Sequence, residues 1–205
     1  MKKFSAILVG FVVLITSLKA STVTSNAVTG NWNAASSWVG GVIPSVNDSV
    51  VIVNGANITL NVNATVYKLK INTGGVLNIG TYTLTLNGNG GLGGNLEIYG
   101  LLNANSGTIQ LTGDFTLLGT FNYGTSTIVF NGNDAQRILG LAPVFYHLRS
   151  TNTNNALGKG VSLHQTTTTI KGNFIADGVF ARNSMSFPDA TVVFDGIDTL
   201  KGAYS

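Results

Sequence analysis

The chain has 205 residues, a length that suits one domain or two small ones and is long enough to bury a core. Only 9% of residues are charged, while Gly (26), Thr (24) and Asn (23) make up more than a third of the chain, a mix that disfavours a helical protein because all three are poor helix formers. The hydrophobic share of 44% excludes a charged disordered chain.

Residues 1–20 read as a secretory signal peptide. Met1-Lys2-Lys3 is a short basic start, Ser5 to Ser17 is mostly apolar, and Ala20 offers a cut before Ser21. The apolar run is short for a membrane span, and no later stretch is apolar enough to cross as a helix. Cleavage removes Lys2, Lys3 and Lys19, so eight bases face eight acids and the net charge falls from +3 to zero. The basic balance therefore belongs to the signal, and a nucleic-acid surface is not expected. With no Cys, stability must come from packing and backbone hydrogen bonds.

Ser21 to Asp48 holds both tryptophans, Trp32 and Trp38, and the turn Gly40-Gly41-Val42-Ile43-Pro44. It is expected to be an N-terminal cap. From Ser49 to Ser205 short strand-like runs recur. Val50-Val51-Ile52-Val53 stops at Asn54-Gly55, Ile58-Thr59-Leu60 at Asn61, and Leu69-Lys70-Ile71 at Asn72. That is strand chemistry with turn punctuation. Thr83-Leu84-Thr85-Leu86 and Thr108-Ile109-Gln110-Leu111 alternate, as half-buried strands do.

Glycines 80, 100, 119 and 140 fall 20, 19 and 21 residues apart. A regular beat of that length points to a solenoid whose coils pack only on their neighbours. The expected fold is all-β, a right-handed parallel β-helix with coils of about 20 residues. Turn punctuation alone leaves an antiparallel sandwich open. A larger repeat lies on top: Leu111-Thr112-Gly113-Asp114-Phe115 matches Ile170-Lys171-Gly172-Asn173-Phe174, 59 residues on. Ser126 to Gly132 matches Ala190 to Gly196, 64 residues on, with the added residues around Asn183 to Pro188. No polar capping element precedes Ser205, so a solenoid truncated there, or covered there by another chain, is expected.

Three runs carry a resemblance: Gly30 to Asn61 (GNWNAASSWVGGVIPSVNDSVVIVNGANITLN), Gly119 to Gly140, and Phe145 to Gly178. They resemble secreted surface repeat proteins of Bacteroidota-type bacteria, and the first is distantly similar to the start of a G8-type domain. The resemblance implies a secreted, cell-surface or matrix β-solenoid that is part of an adhesin-like protein.

Chemistry is sparse. Gly88 to Gly93 fits G-x-G-x-x-G, but a strand-like run comes next where a dinucleotide site needs a helix. Gly90 to Ile98 fits a calcium nonapeptide only in part, with Asn95 in place of Asp. Asn131, Asp134, Asp195 and Asp198 supply oxygens that suit calcium, or plain solvated turns. Gly158-Lys159-Gly160 is not a P-loop. Glu97 is the one Glu, and Asp114 becomes Asn173 in the repeat, so a carboxylate pair for glycan hydrolysis is not evident. His147 and His164 are too few for zinc without Cys. Trp32, Trp38, Tyr82, Tyr99 and Tyr123 are candidates for stacking on sugar rings, against a plain role in packing.

The reading that results is a non-catalytic structural or adhesive solenoid, secreted and extracellular or at the cell surface. Its partners are expected to be glycans, surface proteins, or further copies joined through solenoid ends. The rival is a carbohydrate-active β-helix. No cofactor is expected.

Overall fold

The computed structural model describes residues 21–88, 93–152, 154, 160–164, 167–178, 190–196 and 199–202. The expected signal peptide lies outside these residues. Alternating apolar residues ending at Asn or Gly give strands of two to six residues, each too short to bury its apolar side alone.

An opening half-coil supplies β1 (Thr22–Thr24) and β2 (Thr29–Asn31). Three strands make each full coil. The first has β3 (Ser49–Ile52), β4 (Asn57–Thr59) and β5 (Ala64–Val66). The second has β6 (Lys68–Ile71), β7 (Val76–Asn78) and β8 (Thr83–Leu86). The third has β9 (Leu96–Ile98), β10 (Leu101–Asn103) and β11 (Thr108–Leu111). The fourth has β12 (Phe115–Leu117), β13 (Thr120–Asn122) and β14 (Thr127–Phe130). The fifth has β15 (Ala135–Gly140), β16 (Val144–Phe145) and β17 (His147–Ser150). The sixth has β18 (Gly160–Leu163), β19 (Thr167–Ile170) and β20 (Phe174–Ala176). Then come β21 (Thr191–Phe194) and β22 (Leu200–Gly202).

Stacking these coils builds a three-faced parallel β-solenoid. The first face runs β1-β3-β6-β9-β12-β15-β18, and the third runs β5-β8-β11-β14-β17-β20-β22. The second is in two pieces, β2-β4-β7-β10-β13 and β16-β19-β21. The core is a set of inward columns. Val50, Leu69, Leu96, Phe115, Ile138 and Leu163 sit in register on successive coils, all buried. Burying each such side chain contributes about 1.5–3 kcal/mol against exposure. Phe115 meets Phe121 and Phe145 edge-on, with centroids 5.5 and 5.2 Å apart, and fills the fourth and fifth coils.

Two details differ from expectation. A coil averages about 24 residues rather than 20. The spacing varies: Ser49 pairs with Lys68, Leu69 with Leu96 and Ile138 with Leu163. The glycine beat misled because the corners look alike. Gly100, Gly119 and Gly140 share the corner between first and second faces, whereas Gly80 lies between second and third. Gly75 fills that place in the second coil: a Cβ on Gly100 would come 2.3 Å from the Gly75 carbonyl oxygen. The larger repeat is likewise out of phase with the coil. Leu111 to Phe115 turns from the third face to the first, but Ile170 to Phe174 turns from the second to the third.

The expected cap segment also joins the ladder. β1 pairs with β3 and β2 with β4, both parallel. Between β2 and β3 lie two 3-10 turns (Ala35–Ser37 and Val39–Gly41), and Trp38 between them bridges back to Ser25. Among the described residues no helix is long and apolar enough to cross a membrane.

Candidate functional site

The tryptophans are core, not surface. Trp32 and Trp38 are both buried, meet edge-on at 5.0 Å, and Trp38 Nε1–H donates to the Trp32 carbonyl at 2.7 Å. Neither ring is open to a sugar. The half-buried tyrosines do not share one surface. Tyr82 and Tyr123 lie on the corner between second and third faces, two coils apart, and Tyr82 packs on the core. Tyr99 lies on the corner between first and second faces.

The candidate calcium residues have their own places. Asp134 Oδ1 accepts from the Ala135 N–H at 2.6 Å, and Asp195 Oδ2 accepts from Lys171 Nζ. Asn131 is an exposed turn residue, and Asp198 lies outside the described residues. Among the described residues no three His, Cys, Asp or Glu gather as a metal-holding group. The two histidines are on different faces. His147, on the third, accepts the Asn173 N–H at Nδ1 (2.8 Å). His164 comes directly after β18 on the first face, with Nε2 3.1 Å from Ser162 Oγ. Burial first, and the Arg137 charge second, hold His164 below the ordinary imidazole range, against the pull of Asp114.

Charged groups gather on two faces: Arg149 and Lys201 meet Asp177 beside the third, and a second set lies on the first. The Phe115–Ile138 register sets Asp114 beside Arg137. Arg137 donates from Nε (3.0 Å) and Nη2 (2.6 Å) to Asp114 Oδ2, and its backbone N–H donates to Oδ1 at 2.8 Å. Hydrogen bonding to Asp114, then its charge, push the Arg137 guanidinium up. Glu97 stands in register with Lys70, and Lys70 Nζ lies 4.6 Å from the Tyr99 ring centroid. At the cap, Asp48 accepts from Ser21 Oγ, from the Ser45 N–H at 2.8 Å and from Ser45 Oγ at 2.6 Å. Burial works against its charge, but these hydrogen bonds together outweigh that and hold the carboxyl below its usual range.

The second face carries a ladder of amides. Asn78 Nδ2 donates to Asn57 Oδ1, Asn103 Nδ2 to Asn78 Oδ1, and Asn122 Nδ2 to Asn103 Oδ1, each at 2.8 Å. Such chains polarise one another and tie coil to coil. The sequence signal is Gly-x-apolar-Asn, at Gly75 to Asn78, Gly100 to Asn103 and Gly119 to Asn122. A second buried network joins three coils at the corner between third and first faces. Gln136 Oε1 accepts from the Gly132 N–H and from Asn152 Nδ2, both at 3.0 Å, while Gln136 Nε2 donates to the Leu111 and Gly113 carbonyls. Sequence reading missed both.

Beside the asparagine ladder runs an open trough of about 470 Å3. Gly75, Gly100 and Gly119 form its floor, Val76, Leu101 and Thr120 stand in register along one wall, and Tyr99 lines it too.

No protein-family model, curated protein or solved structure matches the chain.

Proposed function

We propose that this chain is a non-catalytic structural and adhesive solenoid module of a secreted, cell-surface or matrix protein. The observation that carries it is the amide ladder from Asn57 to Asn122. Side chains that alternation places outside are committed to linking one coil to the next, which is how a stiff presenting rod is held. The acidic groups of the first face fit the same reading: Asp114 is engaged by Arg137, and Glu97 stands beside Lys70. The signal-like residues 1–20 supply the export step. Ser21, the first residue after the expected cut, is already anchored through Asp48 and through its carbonyl to the Ser49 N–H. A chain beginning at Ser21 keeps all of these contacts. The resemblance to Bacteroidota-type surface repeat proteins points the same way.

Self-association belongs to this reading. Val39, Val42, Ile43 and Val46 are exposed at the cap, and Val193, Phe194 and Leu200 on the last described strands. The test is a deletion strain of the native host. Loss of surface attachment or matrix cohesion, with polysaccharide turnover in culture unchanged, is expected. Unchanged attachment with lost turnover would overturn the reading in favour of a carbohydrate-active protein.

A further inference from the structure

The trough on the corner between first and second faces runs along the rod across the second, third and fourth coils. We infer that it binds a linear, β-linked polysaccharide lying parallel to the solenoid axis. The inference rests on the adhesive function proposed for the chain and names its ligand class and site.

The floor is imposed by stacking. A Cβ on Gly100 would meet the Gly75 carbonyl oxygen at 2.3 Å, and one on Gly119 the Gly100 carbonyl oxygen at 2.3 Å. Only glycine fits at these positions, so the floor they form carries no side chain. The repeat along the trough is one coil, about 4.7–4.9 Å. That is close to the length of one sugar unit in an extended β-linked chain, so successive units meet equivalent positions.

The lining matches the two characters of a pyranose. Tyr99, Val76 and Leu101 line the trough and give it apolar surface for the sugar's C–H faces. Lys70 Nζ lies over one face of the Tyr99 ring, 4.6 Å from its centroid, so a sugar would meet the opposite face. Thr120 and Asn122, both exposed, stand at the far end, where the Thr120 hydroxyl and the amide groups that Asn122 does not spend on Asn103 can meet sugar hydroxyls.

An extended peptide is the rival occupant, and the backbone disfavours it. The N–H groups of Gly75, Gly100, Leu101, Gly119 and Thr120 already donate to Asn72, Ile71, Gly75, Ile98 and Gly100 carbonyls. No strand edge is left there for a peptide to pair with.

The experiment is calorimetric titration of the mature chain with β-1,4-linked tetrasaccharides of glucose, of N-acetylglucosamine and of mannuronate, alongside their disaccharides and an α-1,4-linked glucose tetrasaccharide. Saturable binding of at least one β-linked tetrasaccharide is expected, at least about tenfold tighter than its disaccharide and than the α-linked probe. Tyr99→Ala should weaken it by about tenfold or more while Tyr99→Phe retains it. Thr120→Trp, at an exposed position that leaves the core untouched, should block it by filling the trough. Lys68→Ala, outside the trough, should bind as the parent does. Absence of saturable binding by all β-linked probes, or unchanged binding by both Tyr99→Ala and Thr120→Trp, would overturn the inference. Either result leaves the adhesive function standing if the protein is on the cell surface. A cytosolic protein would sink that function whatever the titration gives.

Discussion

Replacing Gln136 by Met tests whether buried amides staple the coils. Gln136 is fully buried, and all its hydrogen-bonding capacity is used: Oε1 takes two donors and Nε2 gives to two carbonyls. Met has a similar shape and none of these groups. The Gly132 N–H then loses its partner inside the protein, which costs about 1–3 kcal/mol. The remaining losses are smaller. Leu111 keeps the Asn131 N–H on its carbonyl, and Asn152 keeps its bond to the Asp134 carbonyl. Each lost bond of that kind costs about 0.5–1 kcal/mol. The better burial of an apolar side chain returns roughly 1 kcal/mol. The net expectation is a loss of about 3 kcal/mol. Because solenoid stability is a sum of coil terms and neighbour terms, the loss should be local. Amide hydrogen exchange should accelerate in β12, β15 and β18 and stay unchanged in β3 and β6, while urea unfolding shifts to lower concentration. A change below about 1 kcal/mol, or acceleration spread evenly over the chain, would refute the stapling argument.

Other consequences are as direct. Asn103→Leu removes the middle rung of the ladder, and with Asn103 and Asn78 half-buried and Asn122 exposed the expected cost is about 1–2 kcal/mol by urea unfolding. Gly100→Ala drives a methyl to 2.3 Å from a backbone oxygen, so a loss of about 2–3 kcal/mol is expected, whereas Gly40→Ala meets no atom and loses less despite its positive φ. Asp48 gives an acid step in the cap. Its folded pKa lies below the ordinary 3.8, so its contribution is fully present above that value and is lost as pH falls through the folded pKa. Trp32 and Trp38 report the cap, so their fluorescence should hold near neutral pH and shift red only below about pH 3.8. In Asp48→Asn that acid step should vanish, and its persistence would show that another group controls the cap.

The fold is legible where single strands are legible. Runs such as Thr83 to Leu86 alternate, and each stops at Asn or Gly, so short stacked strands arise from residue chemistry. Coil length is harder to read because all three corners solve one problem, a tight turn beside another backbone, with the same residues. Gly80 and Gly100 look equivalent in sequence and occupy different corners. For the same reason the repeat from Leu111 recurs at Ile170 one face out of phase. At the candidate site, the tryptophans look like stacking platforms in sequence, but Trp38 satisfies its indole N–H inside the cap. Tyr99 does line an open trough, whose floor is the glycines that open Gly-x-apolar-Asn in three successive coils. The asparagine ladder has a signal in Gly-x-apolar-Asn. Gln136 has a fainter one: alternation with Ile138 places it inside, and a buried Gln demands partners.

The claim that most needs testing is that this solenoid works outside the cell. The direct measurement is the N-terminal sequence and location of the protein in fractions of its native cells. The account predicts an extracellular or surface-bound protein beginning at Ser21. A cytosolic protein that keeps residues 1–20 would contradict it.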